Sequence, residues 1–195
     1  MASSKSKRQG LSQLRIIGGN WRSRKLAFTA EEGLRPTTDR IRETLFNWLA
    51  PEIAGAKCAD LFAGSGALGL EALSRGAAHC DFVDRSAAVI QQIAGNLATL
   101  EASELGYCHH GSWSQYLDAS DTPLDIVFID PPFGKGLTLP TCRALTASKR
   151  LSAEAMVYVE LSSQEARAHL PEDWAVYRQK TTGGVTYGLY LPPRP

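Results

Sequence analysis

Two groups of residues in this chain have the types and spacing to do chemistry. The first is Asp60-Leu61-Phe62-Ala63-Gly64-Ser65-Gly66-Ala67-Leu68-Gly69, in which Gly64, Gly66 and Gly69 form a GxGxxG run. Missing side chains at a strand-to-helix turn let a ligand approach the backbone and the helix N-terminus. Asp84 follows Gly64 by 20 residues, a spacing that puts a carboxylate at the end of the next strand, where it can accept from both hydroxyls of a ribose. Nicotinamide adenine dinucleotide and S-adenosylmethionine both offer a ribose and an adenine to such a turn, so the glycines do not choose between them. The second group, Asp130-Pro131-Pro132-Phe133, does choose. Its prolines lock φ, remove two N–H donors and fix where the carbonyls point. Asp130 then offers an acceptor beside the Pro131 carbonyl, and Phe133 offers a flat face. An exocyclic amino group on a ring has two protons to donate and a plane to stack, and this loop answers both needs.

The elements that position these residues are legible in the apolar runs. Cys58–Phe62 reads as a short strand, followed by the Gly-rich turn and a helix from about Ala67 to Arg75. Cys80–Val83 is the next strand, and Ser86 can cap a helix that buries Val89, Ile90, Ile93, Leu97 and Leu100. Gly106–His109 is a weaker strand, Leu124–Ile129 a strong one that delivers Asp130, and Ala155–Leu161 another. Continuous apolar strands separated by amphipathic helices indicate a parallel sheet covered on both faces. Ala175–Lys180 and Val185–Leu191 are joined by Thr181-Thr182-Gly183-Gly184, too short for a crossover, so this pair is an antiparallel hairpin. Nearer the N-terminus, Leu14–Ile17, the turn Gly18-Gly19-Asn20 and Trp21–Leu26 predict a β-hairpin whose exposed face carries Arg15, Arg22, Arg24 and Lys25. A helix then starts at Thr38, puts Ile41, Leu45, Trp48 and Leu49 on a core face and stops before Pro51.

Composition excludes several classes. Of 195 residues, 44% are hydrophobic and 21% charged, as in an ordinary packed domain rather than a disordered tail. No apolar run approaches the roughly 18 residues of a membrane span, so a cytoplasmic protein is expected. Cys58, Cys80, Cys108 and Cys142 have no CxxC spacing, and three of them fall in strands, so reduced thiols and no metal are expected. Residues 1–42 hold 10 Lys+Arg against 3 Asp+Glu, and the rest hold 11 against 17, so the net +1 hides a +7 end and a −6 remainder. A polyanion would dock on the positive end.

The motifs closely resemble those of the RsmD family. Asp60–Gly69, Asp84 and Asp130–Phe133 look like class I S-adenosylmethionine-dependent methyltransferases acting on nucleobase amino groups. Arg15-Ile16-Ile17-Gly18-Gly19, Gly33-Leu34-Arg35-Pro36-Thr37-Thr38-Asp39-Arg40-Ile41-Arg42-Glu43-Thr44-Leu45-Phe46 and the stretch from Asp60 to Ala77 narrow the resemblance. It runs from Arg15 to Tyr190. It implies a Rossmann-like α/β fold with a mainly parallel seven-stranded sheet ending in an antiparallel hairpin, helices on both faces and an N-terminal β-hairpin extension. The expected division is a disordered basic tail at 1–10, the hairpin and loop at 11–34 and the methyltransferase domain at 35–195.

The implied activity is transfer of a methyl group from S-adenosylmethionine to N2 of one guanine, at position 966 of 16S rRNA, in an assembled or partly assembled small ribosomal subunit. A monomer with no membrane partner is expected. The cofactor would be held by Asp60, Phe62, Ala63, Gly64, Ser65, Gly66, Asp84, Arg85, Ser112 and Trp113. Asp130, Pro131 and Phe133 would hold the amine, and Arg15, Arg22, Arg24, Lys25, Arg35, Thr37 and Arg40 the RNA, with Arg42 also turned toward it. His109 and His110 are expected to be structural, having no acid partner at useful spacing. An NAD-dependent oxidoreductase would leave Asp130–Phe133 and the basic hairpin without a purpose. A DNA adenine-N6 methyltransferase or a non-catalytic RNA-binding assembly factor are the other readings of the same motifs.

Overall fold

A computed structural model describes residues 11–29, 38–163 and 170–194. Through these the chain runs β1 (Leu11–Arg15), β2 (Lys25–Thr29), α1 (Asp39–Leu49), β3 (Lys57–Asp60), α2 (Ala67–Ser74), β4 (His79–Asp84), α3 (Ala87–Thr99), β5 (Gly106–His110), α4 (Trp113–Asp118), β6 (Leu124–Ile129), α5 (Thr138–Ala147), β7 (Leu151–Ser162), β8 (Ala175–Thr182) and β9 (Val185–Leu191). The expected tail at 1–10, and Arg35 and Thr37, lie outside the described residues.

Seven strands form one sheet in the order β5-β4-β3-β6-β7-β9-β8. Strands β3 to β7 pair in parallel, and β9 is antiparallel to both β7 and β8. The chain winds from β3 outward through β4 to β5, then crosses back to β6 on the other side of β3. The sheet therefore changes direction between β3 and β6, where open α/β sheets leave a crevice at their carboxyl edge. Both motif loops leave the sheet at this crevice, one after β3 and one after β6.

The two faces of the sheet carry separate cores. On one, α1, α2, α3 and the N-terminal hairpin pack Leu45, Phe46, Leu70, Ile93, Leu14 and Phe28 against Phe82, Phe128 and Tyr158. On the other, α4 and α5 pack Tyr116, Leu117, Cys142 and Leu145 against Val83, Val127 and Val159. Every residue of α2 is buried, as its nearly all-apolar sequence ALGLEALS requires. Thr38 caps α1 by accepting the Ile41 N–H, and Ser86 caps α3 by accepting the Val89 N–H, both as the sequence predicts. No helix among the described residues is long and apolar enough to cross a membrane.

The structure corrects the hairpin. Its strands pair from Leu11 with Thr29 to Arg15 with Lys25, so residues 16–24 are a loop and Trp21–Arg24 are not strand. The loop closes on itself through turns at Gly19–Arg22 and Trp21–Arg24, and the rest of its backbone is spent on α2: Asn20 N–H donates to the Ser74 carbonyl at 2.7 Å, and the Ile17 and Gly18 N–H groups donate to Glu71 at 2.8 Å each. Gly19, at φ +75°, approaches so closely that a Cβ there would lie 1.8 Å from the Ser74 oxygen. Helices α4 and α5 have no counterpart in the sequence reading. Ser112 opens α4 with a capping box to Gln115, a signal present in the sequence. Trp48, expected in the core, is half-buried at its edge and stacks on Tyr187 with ring centroids 5.7 Å apart.

Candidate functional site

The Gly-rich turn begins where β3 ends. Ala63 N–H donates to the Val83 carbonyl at 3.0 Å and Gly66 N–H to the Ala63 carbonyl at 2.7 Å, which folds the loop tightly against β4 before α2 starts. Gly64 and Gly66 have φ of +51° and +77°, a region that L side chains rarely adopt. Gly69 serves packing: a Cβ there would meet the Phe82 ring at 2.3 Å, so its absence lets α2 sit down on the sheet.

Asp60 is buried beneath this loop. Its Oδ2 accepts the Gly69 N–H at 3.3 Å and the Phe62 N–H faces the carboxylate, yet among the described residues Oδ1 has no hydrogen-bond partner of ordinary geometry. Burial pushes its pKa up to about 7 against the pull of those N–H groups, with Asp84 adding a smaller rise. At the end of β4, Asp84 accepts the Gly64 N–H on one oxygen at 3.0 Å and the Ser86 N–H on the other at 2.8 Å. Each oxygen keeps a further lone pair. A loop bent through Gly64 and Gly66 beside a strand-end carboxylate with lone pairs to spare suits an adenosyl ligand with polar hydroxyls.

The register of the sheet shows what stands beside these groups. Phe82, Asp60, Phe128 and Tyr158 are consecutive neighbours across β4, β3, β6 and β7. Two residues further along, on the same face, come Asp84, Phe62, Asp130 and Glu160. Asp84 pairs with His110 on the outer side, and Glu160 with Tyr187 on the other. The carboxyl edge thus carries a row of three acids, Asp84, Asp130 and Glu160, spread over the switch point. Pro131 is buried, while Phe133 is 39% exposed on the loop beyond it. The sequence reading passed over Glu160; the signal was an acid inside the apolar strand Met156-Val157-Tyr158-Val159-Glu160-Leu161.

The remaining expected cofactor residues cluster at the same edge. Ala63 is buried and Ser65 half-buried in the loop, and Arg85 is exposed just past Asp84, its carbonyl taking a hydrogen bond from His110 Nε2 at 3.1 Å if that nitrogen is protonated. Ser112 follows β5, and its hydroxyl is engaged with Ser114, Gln115 and the N-terminus of α4. Trp113 is half-buried against the second core.

The basic residues divide into surface and interior. Arg22, Lys25 and Arg40 are exposed. Arg15 is exposed but paired with Asp39 at 3.0 Å, and Arg24 reaches the Thr99 carbonyl at 3.3 Å. Arg42 does not face RNA, because it is almost fully buried between the hairpin, α1 and α2. His109 also departs from expectation: its Nε2 lies 3.7 Å from Asp81, an acid on the adjacent strand that also meets His79 at 3.0 Å and the Tyr116 hydroxyl at 2.6 Å. Burial works to raise the Asp81 carboxyl, but the hydrogen bonds of His109, Tyr116 and His79 outweigh it and hold it below the usual range. The four cysteines are free, and burial raises every thiol, Cys142 to about 12 and Cys108 to about 11, so none is a ready nucleophile.

The family model described as Conserved hypothetical protein 95, that of the RsmD family, matches residues 14–191. The chain belongs to the RsmD family. Among its members, Ribosomal RNA small subunit methyltransferase D of Escherichia coli K12 is 49% identical over 186 residues, covering 95% of this chain and 93% of that protein. The Haemophilus influenzae protein of the same name is 42% identical over 181 residues, covering 91% and 93%. The solved structure of Escherichia coli yhhF superposes with a TM-score of 0.82 at 47% identity, covering 92% of this chain and 97% of that one. The family match spans both motif loops, the hairpin strand from Leu14 and the terminal β8–β9 hairpin, so the whole described fold, and not the Gly-rich turn alone, is the family's.

Proposed function

We propose that this chain transfers a methyl group from S-adenosylmethionine to the N2 amino group of one guanine, at position 966 of 16S rRNA. The substrate is an assembled or partly assembled small ribosomal subunit, and the protein acts as a monomer in the cytoplasm. The observation that carries the reading is the placement of Asp84 and Asp130 on either side of the Gly64–Gly66 turn, at the switch point of the sheet, in a chain whose relatives are named as small-subunit rRNA methyltransferases.

The bound cofactor supplies an electrophilic methyl carbon. Asp60, Phe62, Ala63, Gly64, Ser65, Gly66, Asp84, Arg85, Ser112 and Trp113 hold it, with Asp84 on the ribose hydroxyls. A guanine amino lone pair is delocalised into the ring and is a poor nucleophile. Asp130 and the Pro131 carbonyl accept its two N–H bonds, which pyramidalises the nitrogen and aims its lone pair for in-line attack. As the carbon–nitrogen bond forms, the sulfur–methyl bond would break with its electron pair left on sulfur, giving S-adenosylhomocysteine; the amine becomes cationic, and Asp130 stabilises that charge where it develops. Loss of one amine proton to Asp130, and from there to solvent, leaves the neutral methylamino product. The base must leave any stack to reach this edge, and Phe133 holds its face once there. Arg15, Arg22, Arg24, Lys25, Arg35, Thr37 and Arg40 contact the RNA backbone. So small a basic surface recognises shape and extruded bases rather than duplex sequence.

The test supplies labelled S-adenosylmethionine with unmodified small subunits, naked 16S rRNA or DNA, and identifies the methylated nucleoside after digestion. N2-methylguanosine, formed faster from small subunits than from naked rRNA at matched salt, is expected. Methylated adenine in DNA, or no transfer to any substrate, overturns the reading.

A further inference from the structure

We infer that Glu160 is the specificity-determining residue that reads the target base, accepting the guanine N1–H while Asp130 takes the neighbouring amino group. The inference rests on the guanine reading above and adds the residue that would enforce it.

Glu160 stands on β7 directly beside Asp130 on β6. Ile129 and Val159 are the last registered pair of these parallel strands, so Asp130 and Glu160 follow as the next pair, roughly 4.8 Å apart on the same face. A carboxylate only 5% exposed at the edge of an apolar core is costly unless it has donors. One donor is built in: the fully buried Tyr158 hydroxyl donates to Glu160 Oε2 at 2.9 Å and fixes the carboxylate's orientation from below. From above, Glu160 lines a pocket of about 120 Å³ with Thr38, Arg40, Ile41, Thr182 and Val185, between the start of α1 and the β8–β9 turn. The carboxylate is therefore held by the fold from below and borders this recess from above, with Asp130 next to it across the ladder rather than in the recess lining.

Two adjacent carboxylates match one base edge. Guanine alone among the four RNA bases presents two neighbouring donors, N1–H and the N2 amino group. Adenine offers its N6 amino group next to the N1 lone pair, and cytosine its N4 amino group next to the N3 lone pair. Either would satisfy Asp130 but set a lone pair against Glu160. Sites that hydrogen-bond a specific donor reject analogues lacking it far more strongly than apolar pockets reject a shape. The pair Asp130–Glu160 thus separates an amino group on guanine from the same group on adenine or cytosine, which the Asp-Pro-Pro-Phe loop by itself cannot do.

The experiment uses small subunits reconstituted with guanine or with 2-aminopurine at the target position. The analogue keeps the amino group at C2 but carries a lone pair at N1. Methyl transfer by the wild-type protein should favour guanine by about 100-fold or more in kcat/KM. In Glu160→Gln, whose amide can donate to that lone pair, kcat/KM on guanine should fall and the preference should shrink by about 10-fold or more. Glu160→Asp, which keeps the charge but withdraws it by one methylene, should lower guanine kcat/KM with the preference retained. Cofactor affinity measured by titration should stay within about 3-fold in both variants, and melting curves report their folding. Equal wild-type rates on the two bases overturn the inference without recourse to any variant. So does an unchanged preference in a folded Glu160→Gln, which would leave Glu160 as a partner of Tyr158 only. Failure of the underlying reading looks different: the wild-type protein would then make no N2-methylguanosine from ordinary subunits.

Discussion

Arg42 of α1 and Glu71 of α2 meet as buried charges, 2% and 0% exposed, with their N and O atoms 3.6 Å apart. Glu71 also accepts Arg75 Nε at 2.7 Å and the Ile17 and Gly18 N–H groups, while Arg42 donates to the Arg15 carbonyl at 3.1 Å and to Asp39 at 2.6 Å. One carboxylate and one guanidinium thus fasten the hairpin loop to two helices. Removing Glu71 strips the buried Arg42 and the half-buried Arg75 of a shared carboxylate and orphans the Ile17 and Gly18 N–H groups, while Arg42 keeps Asp39, so Glu71→Ala should lower unfolding stability by about 3 kcal/mol. Urea denaturation of the variant measures this, and a loss under about 1 kcal/mol would mean the network is not needed to hold the hairpin.

Asp60 predicts a pH dependence. Its native pKa of about 7 lies above the ordinary value of 3.8, so between these the folded state binds more protons than the unfolded chain. Stability from this group is fully present below pH 3.8 and is lost as pH rises through about 7. The difference in stability between Asp60→Asn and the wild-type protein should therefore move in favour of the variant from pH 4 to pH 7. Parallel melting curves for both proteins across that range would refute the assignment.

Gly69 predicts a packing penalty. A methyl group there lies 2.3 Å from the Phe82 ring and 2.8 Å from Cys80 Sγ, in a core with no slack. Gly69→Ala should cost about 1–3 kcal/mol by overpacking, despite the better helix propensity of alanine. A variant as stable as the wild-type protein would show that α2 can lift off the sheet.

Asp130→Ala should lower kcat by about 100-fold or more while leaving cofactor affinity within a few-fold, since in the proposed mechanism the residue serves the amine and not the cofactor. Single-turnover rates and a cofactor titration separate the two. A large loss of cofactor binding would reassign Asp130 to the cofactor side of the cleft.

Charge reversal at Arg22 and Arg24, both exposed on the hairpin loop, should weaken RNA binding and flatten its salt dependence by about one unit of slope for each phosphate no longer neutralised. Binding measured at several salt concentrations tests it. An unchanged slope would remove this loop from the interface.

Much of the fold was legible because local signals and the tertiary arrangement agree. The apolar run Leu124–Ile129 forms the strand it announces, Thr38 and Ser86 cap the helices expected of them, and the short link to Val185 could only join antiparallel neighbours, although β8 runs two residues further than expected, through Thr182, and the turn is Gly183-Gly184 alone. The Gly64–Gly66 turn, Asp84 and Asp130 needed only the alternation of strand and helix to be brought to one edge. Local pattern failed at the hairpin loop, because what Gly18, Gly19 and Asn20 do is set by Glu71 and Ser74 more than fifty residues away.

The sequence by itself determined the class of fold, the two motif loops and the kind of chemistry they suit, since each depends on residues close together in the chain. Tertiary structure decided the rest. It turned Arg42 from a surface cation into a buried partner of Glu71, and it gave His109 an acid on the neighbouring strand. It also set Glu160 beside Asp130. Strand register places residues thirty apart within one ladder spacing, and no local pattern of residue types encodes which strands become neighbours.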